Sequence, residues 1–168
     1  MSFPKKLNLI FLSIMVISLL LFAYSWYGSY KFDNNPLSKN IRQQIAKKEF
    51  EIKILIKKHY KIDIDIPIIV TDKMNSKLFG MATFDTSTNK IKIYLNKKRF
   101  KESLRYMLDD VLPHEYAHAL MFSFKYFSNE NSGHTKKWQK ACINLNGIKC
   151  NRFVDHNDIV INKTKLLY

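Results

Sequence analysis

His114-Glu115-Tyr116-Ala117-His118 is the stretch from which the rest of this 168-residue chain is read. It has the pattern H-E-x-x-H. On a helix, side chains four apart share one face, so His114 and His118 point two imidazoles at one ion. Glu115 sits about 100° round the helix, within reach of a water on that ion. Zinc lowers the pKa of such a water to about 7 and makes it a nucleophile at neutral pH. Two ligands and a general base thus fall within one short motif. The chain has 5 histidines, and composition alone would produce the motif only ~0.004 times in a chain like this. The competing reading is a surface helix that happens to carry two histidines.

A catalytic zinc site needs a third protein ligand and a fourth position left for water. The remaining histidines are His59, His134 and His156. His134 follows a polar stretch, Ser128 to Gly133, that reads as a loop. A helix is predicted to begin at His134, with His134, Trp138, Ala141 and Leu145 on one face and Asn146-Gly147 as its stop. Trp138 would be the packing anchor that holds His134 against the metal helix. A purely structural His134 is the alternative. His59 closes a lysine-rich helix and reads as a solvated residue, and His156 lies in a polar tail and reads as surface.

These separated pieces resemble a known family. The run Asp109 to Leu120, with Leu112-Pro113-His114-Glu115-Tyr116-Ala117-His118 at its centre, and then His134-Thr135-Lys136-Lys137-Trp138, is similar to the SprT-like metalloproteases. That family includes bacterial SprT proteins and the eukaryotic Spartan protease domain. Its pattern is a Pro-His-Glu-Leu-Ala-His helix, a loop, and a His-Gly-x-x-Trp element that carries the third ligand. Leu78 to Asn96 resembles the family's Gly-containing strand pair ending in Leu-Asn. The resemblance covers roughly residues 45 to 156. It implies zinc (Zn2+) on His114, His118 and His134, with Glu115 as the catalytic base, acting on protein or peptide substrates. There are departures. Gly133-His134-Thr135 stands where the family often has His-Gly, and the loop from His118 to His134 is somewhat long. These residues hold no Cys-rich zinc ribbon of the kind that follows the protease domain in many bacterial members, and the hydrophobic N-terminus is not a family feature.

That N-terminus carries no charged residue from Leu7 to Tyr30. An uncharged run longer than about 18 residues reads as a membrane span, and Tyr24, Trp26, Tyr27 and Tyr30 would sit at the far headgroup level. A cleavable signal peptide competes, with Ala23 and Ser25 as small residues at a cut. The apolar region is longer than a usual signal core, and large aromatics crowd the cut, so residues 1–30 are read as an uncleaved single-pass anchor, of the kind a bacterial inner-membrane protein carries. Lys5 and Lys6 favour a cytoplasmic N-terminus, whereas Lys31, Lys39, Arg42, Lys47 and Lys48 favour the reverse. A long C-terminal domain can translocate despite its charge, which tips the reading toward an exported domain.

Residues 31–168 are enough for one domain with one core. The net charge is +14, and setting aside Lys5 and Lys6 leaves +12 on this part. Such a field favours anionic partners, among them DNA or lipid headgroups. The lysines are scattered, which is also what a solvated surface gives. Cys142 and Cys150 are the only cysteines. They could form a disulfide in an oxidising compartment, or be one buried helix residue and one bystander.

The other elements follow from periodicity. Residues 36–59 are predicted as a helix with Pro36 at its first position and Leu37, Ile41, Ile45, Ile52 and Leu55 near helical spacing. Ile62, Ile64 and Ile66 alternate with Asp63 and Asp65, the period of a strand, with Pro67 at an edge or bulge. Leu78 to Phe84 and Ile91 to Leu95 are two strands joined by a polar hairpin. Gly80 marks a close backbone approach. Asn96 caps the next helix, which buries Leu104, Met107, Leu108 and Val111. Pro113 forces a kink or restart, capped by Asp109 or Asp110, and the metal helix runs to about Tyr126.

The expected fold is α+β: a small zincin-like domain of helices on a short antiparallel sheet, with one N-terminal transmembrane helix. The expected function is zinc-dependent peptide hydrolysis. Two further readings stand beside it, a non-catalytic zinc module and a nucleic-acid-associated protein.

Overall fold

Each element starts or stops where the side chains dictate. The computed structural model of this chain describes residues 3–125 and 133–150. The chain divides into two compact units, residues 1–37 and 38–168. The first is a single helix, α1 (Phe3–Asn34). At 1.5 Å per residue it is long enough to cross a bilayer. Large apolar side chains along it are exposed, Leu20 and Phe22 at 65% and 71%.

The second unit is mixed helix and sheet. α2 (Lys39–Tyr60) starts later than expected, because the Ser38 hydroxyl accepts the Ile41 amide at 3.3 Å and caps it. Pro36 therefore precedes the helix. Ile45, Ile52 and Ile56 form its buried face, Ile56 taking the place expected of Leu55. Lys61, at φ 59°, ends it in the left-handed region.

Ile62 to Ile66 are not a strand. The strand β1 is Ile68–Thr71, beyond Pro67. Proline has no amide to give a ladder, and a strand does not run through it. The alternation still sorts the residues, with Ile66 buried. Asp63 and Asp65 pair with Lys57 and Lys53 of α2, exposed pairs worth about 0–1 kcal/mol each.

β2 (Gly80–Asp85) and β3 (Lys90–Asn96) are the expected hairpin, antiparallel with Ala82 opposite Ile93. β1 runs parallel to β3, in the order β1-β3-β2. The sheet is thus mixed and not wholly antiparallel. The reason is the crossing from β1 to β2, which places them on opposite sides of β3. Ile93 and Leu95 of this central strand are fully buried. Asn96 caps α3 (Lys97–Glu102) by accepting the Lys98 amide, and its own amide group holds the carbonyls of Asn75 and Leu78.

The helix expected from Asn96 to Val111 is interrupted. Ser103 is extended and caps a single turn, α4 (Leu104–Tyr106). A π-helical turn, Met107–Val111, follows and leads into α5 (Leu112–Ser123). Pro113 explains the π turn. Its ring would strike the carbonyl four residues back, and widening the turn, with the Leu112 amide bonded to the Met107 carbonyl, makes room. Asp109 and Asp110 cap nothing here. Asp109 pairs with Lys48 and Arg105, and Asp110 accepts the Lys149 amide at 3.1 Å.

α5 packs on β2 and β3 and against α6 (Lys136–Asn144). It ends at Ser123, short of Tyr126. The loop expected at 128–132 and the tail with His156 lie outside the described residues. α6 closes as expected. Asn146, at φ 58°, takes the left-handed position, its amide bonds the Ile143 carbonyl, and Gly147 bonds that of Cys142. Cys142 and Cys150 are bridged. A Cβ on Gly147 would lie 2.6 and 2.8 Å from their sulfurs, so only glycine fits the turn the bridge encloses.

Candidate metal centre

His114 and His118 lie one turn apart on α5, as their spacing requires. His134 is brought to them from outside the expected helix. It stands two residues before α6, and Thr135 is the cap, its side chain accepting the Trp138 amide. A residue just before a helix entry can aim its side chain back across the neighbouring helix, and here His134 does. His134 Nε2 lies 3.1 Å from His114 Nε2 and 3.3 Å from His118 Nε2.

These distances test the fit to a metal. Ligand nitrogens about 2.0–2.1 Å from a tetrahedral zinc stand roughly 3.3–3.4 Å from one another. The trio matches that spacing, and its ligand atoms all lie within 4.8 Å of one another. Burial, and then the neighbouring His118 and His134, lower His114 to about 3. It is neutral at physiological pH, the form that ligates a metal. The three imidazoles can therefore hold one divalent ion.

Trp138 forms the floor. It is 1% exposed, and its ring centroid lies 4.6, 5.1 and 4.4 Å from those of His114, His118 and His134. One indole thus packs against every member of the trio and fixes their mutual orientation. Its Nε1 is buried without a hydrogen-bond partner among the described residues.

Glu115 points to the sheet. Its Oε2 accepts the Ala82 amide of β2 at 2.8 Å. Gly80 lies so close that a Cβ there would be 2.7 Å from Glu115 Cγ and 2.8 Å from Oε1. The close approach expected at Gly80 is therefore an approach to this carboxylate. Burial pushes Glu115 up to about 8, opposed by the Ala82 amide. A cation in the trio would favour the carboxylate and draw it back down. Tyr116 is buried toward α2, where burial and then Glu49 raise its pKa, so it faces away from the trio. His59, at the exposed end of α2, is no part of the cluster.

Two contributors escape a reading of the sequence. The Ala82 amide is a main-chain group, and only Gly80 two residues earlier hints at it. The bond from Lys149 to Asp110 ties the turn after α6 to the π turn that feeds α5. No local pattern announces it.

The SprT-like family model matches residues 39–161. The chain belongs to the SprT-like family. That match spans the sheet, α5 and the His134 element of this SprT-like domain, and leaves α1 outside it. No curated protein and no solved structure matches the chain.

Proposed function

We propose that this SprT-like protein is a zinc-dependent metalloendopeptidase with a zincin-like site. The observation that carries the reading is the convergence of His114, His118 and His134 beside a buried Glu115 anchored on the edge of the sheet. His114, His118 and His134 would hold the ion. When bound, zinc acidifies a water and polarises the peptide carbonyl. Glu115 takes the proton on Oε1 and returns it to the departing amine. The Ala82 amide fixes Oε2, so the carboxylate works from one orientation. β2 is an outer strand, and its edge beside Glu115 offers main-chain groups to an extended substrate.

α1 serves as a single-pass membrane anchor in this reading. The Cys142–Cys150 bridge supports an exported domain, since disulfides persist in oxidising compartments.

The test is cleavage of a generic unfolded protein by the full chain in detergent. Wild type should cleave, a chelator should stop it, and zinc should restore it. Glu115→Gln should bind metal and lose at least about 100-fold in rate, the contribution of a positioned base. Cleavage indifferent to chelator would end the proposal. If Glu115→Gln kept full biological activity while His114→Ala lost it, the centre would be a non-catalytic zinc module.

A further inference from the structure

The face of α2 opposite the core carries a pattern that the metal centre does not use. Ile45, Ile52 and Ile56 point inward. Stepping 100° per residue, the opposite face holds Lys39, Asn40, Gln43, Lys47, Phe50, Glu51, Ile54, Lys57 and Lys58, with Glu51 as its one acidic residue. Phe50 and Ile54, one turn apart, are 65% and 52% exposed. Lys39, Lys47 and Lys58 flank them, and no ion pair to these three is seen among the described residues. Two large apolar side chains held in water, with lysines before and after them along the face, form the pattern of a helix that lies in a headgroup layer.

The chain's own connectivity supplies that layer. Only Asn35, Pro36, Leu37 and Ser38 separate α1 from α2. A linker of this length reaches at most about 14 Å, and α1 runs only four residues past Tyr30, so the start of α2 is tethered within about 20 Å of the end of any span that α1 makes. Basic segments next to a span are drawn to anionic lipid.

We infer that the outer face of α2 docks on the membrane that holds α1, with Phe50 and Ile54 inserted among anionic lipid headgroups and Lys39, Lys47 and Lys58 on their phosphates. The inference rests on α1 being an anchor. It gives α2 a second role, holding the SprT-like domain against the bilayer and confining its substrates to chains at or near the membrane surface.

The test uses the full chain in vesicles of anionic or zwitterionic phospholipid. Cys142 and Cys150 are bonded to each other, so Ile54→Cys is the single thiol for an environment-sensitive dye, and Leu20→Cys is its counterpart in α1. The dye at 54 should shift to the blue and be quenched by headgroup-level lipid quenchers in anionic vesicles, and much less in zwitterionic ones. Changing Lys39, Lys47 and Lys58 to Gln should lower the docked-to-undocked ratio about fivefold per lysine. A dye at 54 that stays water-exposed in anionic vesicles, while the dye at 20 is buried, overturns the docking and leaves the anchor standing. A water-exposed dye at 20 overturns the anchor, and docking with it. If duplex DNA in detergent shifts the dye at 54 and anionic vesicles do not, the face binds nucleic acid and the inference is wrong.

Discussion

Gly80→Ala puts the anchoring of Glu115 to a direct test. The new methyl group would sit 2.7 Å from Glu115 Cγ, 2.8 Å from Oε1 and 3.0 Å from Cδ. Carbon atoms rest about 3.5–4.0 Å apart, so the carboxylate arm must retreat by about 1 Å. β2 cannot give way in its place, because β3 holds it from Gly80 to Asp85. The retreat breaks the 2.8 Å bond from the Ala82 amide. Gly80 has no positive φ, so alanine is not strained by its backbone. Replacing glycine then returns about 0.4–1 kcal/mol through the unfolded state, against about 1–3 kcal/mol for overpacking. The fold should survive with a net loss of about 1–2 kcal/mol. Catalysis should suffer more, since misplacing a catalytic group by about 1 Å costs roughly 100-fold, or about 2.7 kcal/mol in barrier. The assay is chelator-sensitive proteolysis with bound metal measured on the same samples, and hydrogen exchange of the Ala82 amide as the structural readout. Metal content should stay at one ion, turnover should fall about 100-fold, and the amide should lose protection. Wild-type turnover would refute the reasoning. So would loss of metal in step with activity, because the trio would then be what the methyl disturbs.

Other elements give further expectations. Trp138→Ala empties the floor under three imidazoles and should cost about 3–5 kcal/mol, with metal affinity falling alongside. Trp138→Phe should cost much less, since it also removes a buried N–H that has no partner among the described residues; equal losses in the two variants, by thermal unfolding and metal titration, would contradict this. Reducing the Cys142–Cys150 bridge, which closes a loop of sequence separation 8, should destabilise the domain by about 2.5 kcal/mol, read as a lower melting temperature with reductant. An unchanged melting temperature would show that the bridge adds nothing. Hydrogen bonds from the Ser87 and Thr88 side chains, joined by the Ser87 amide, lower Asp85 from 3.8 to about 2. A depressed carboxylate stabilises the hairpin fully above its unfolded pKa and loses that contribution as pH falls through about 2. An Asp85 carboxyl titrating near 4 by NMR would remove this account of the turn.

Much of both units was legible because the signals are local. The H-E-x-x-H spacing places two imidazoles on one helical face whatever surrounds them. The apolar run from Leu7, the hairpin ending in Leu95-Asn96, the Asn96 cap and the Asn146-Gly147 stop each depend on a few neighbouring residues. Where the reading slipped, a competing local rule had won. Ser38 offered a cap that Pro36 could not, and Pro67 deferred β1 until Ile68. Pro113 was met by a widened turn in place of a new cap, leaving Asp109 to Lys48 and Asp110 to Lys149.

By itself the sequence determined which side chains can ligate a metal, the helix that carries two of them and the family to which the chain belongs. The tertiary structure alone decided that His134 reaches the other two from the entry of α6, that Trp138 floors all three rings, and that the Ala82 amide holds Glu115 across a gap only Gly80 permits. The reason is range. Helical spacing is set by bonds within a turn or two, whereas His118 and His134, or Ala82 and Glu115, meet only when separate elements close on a common core.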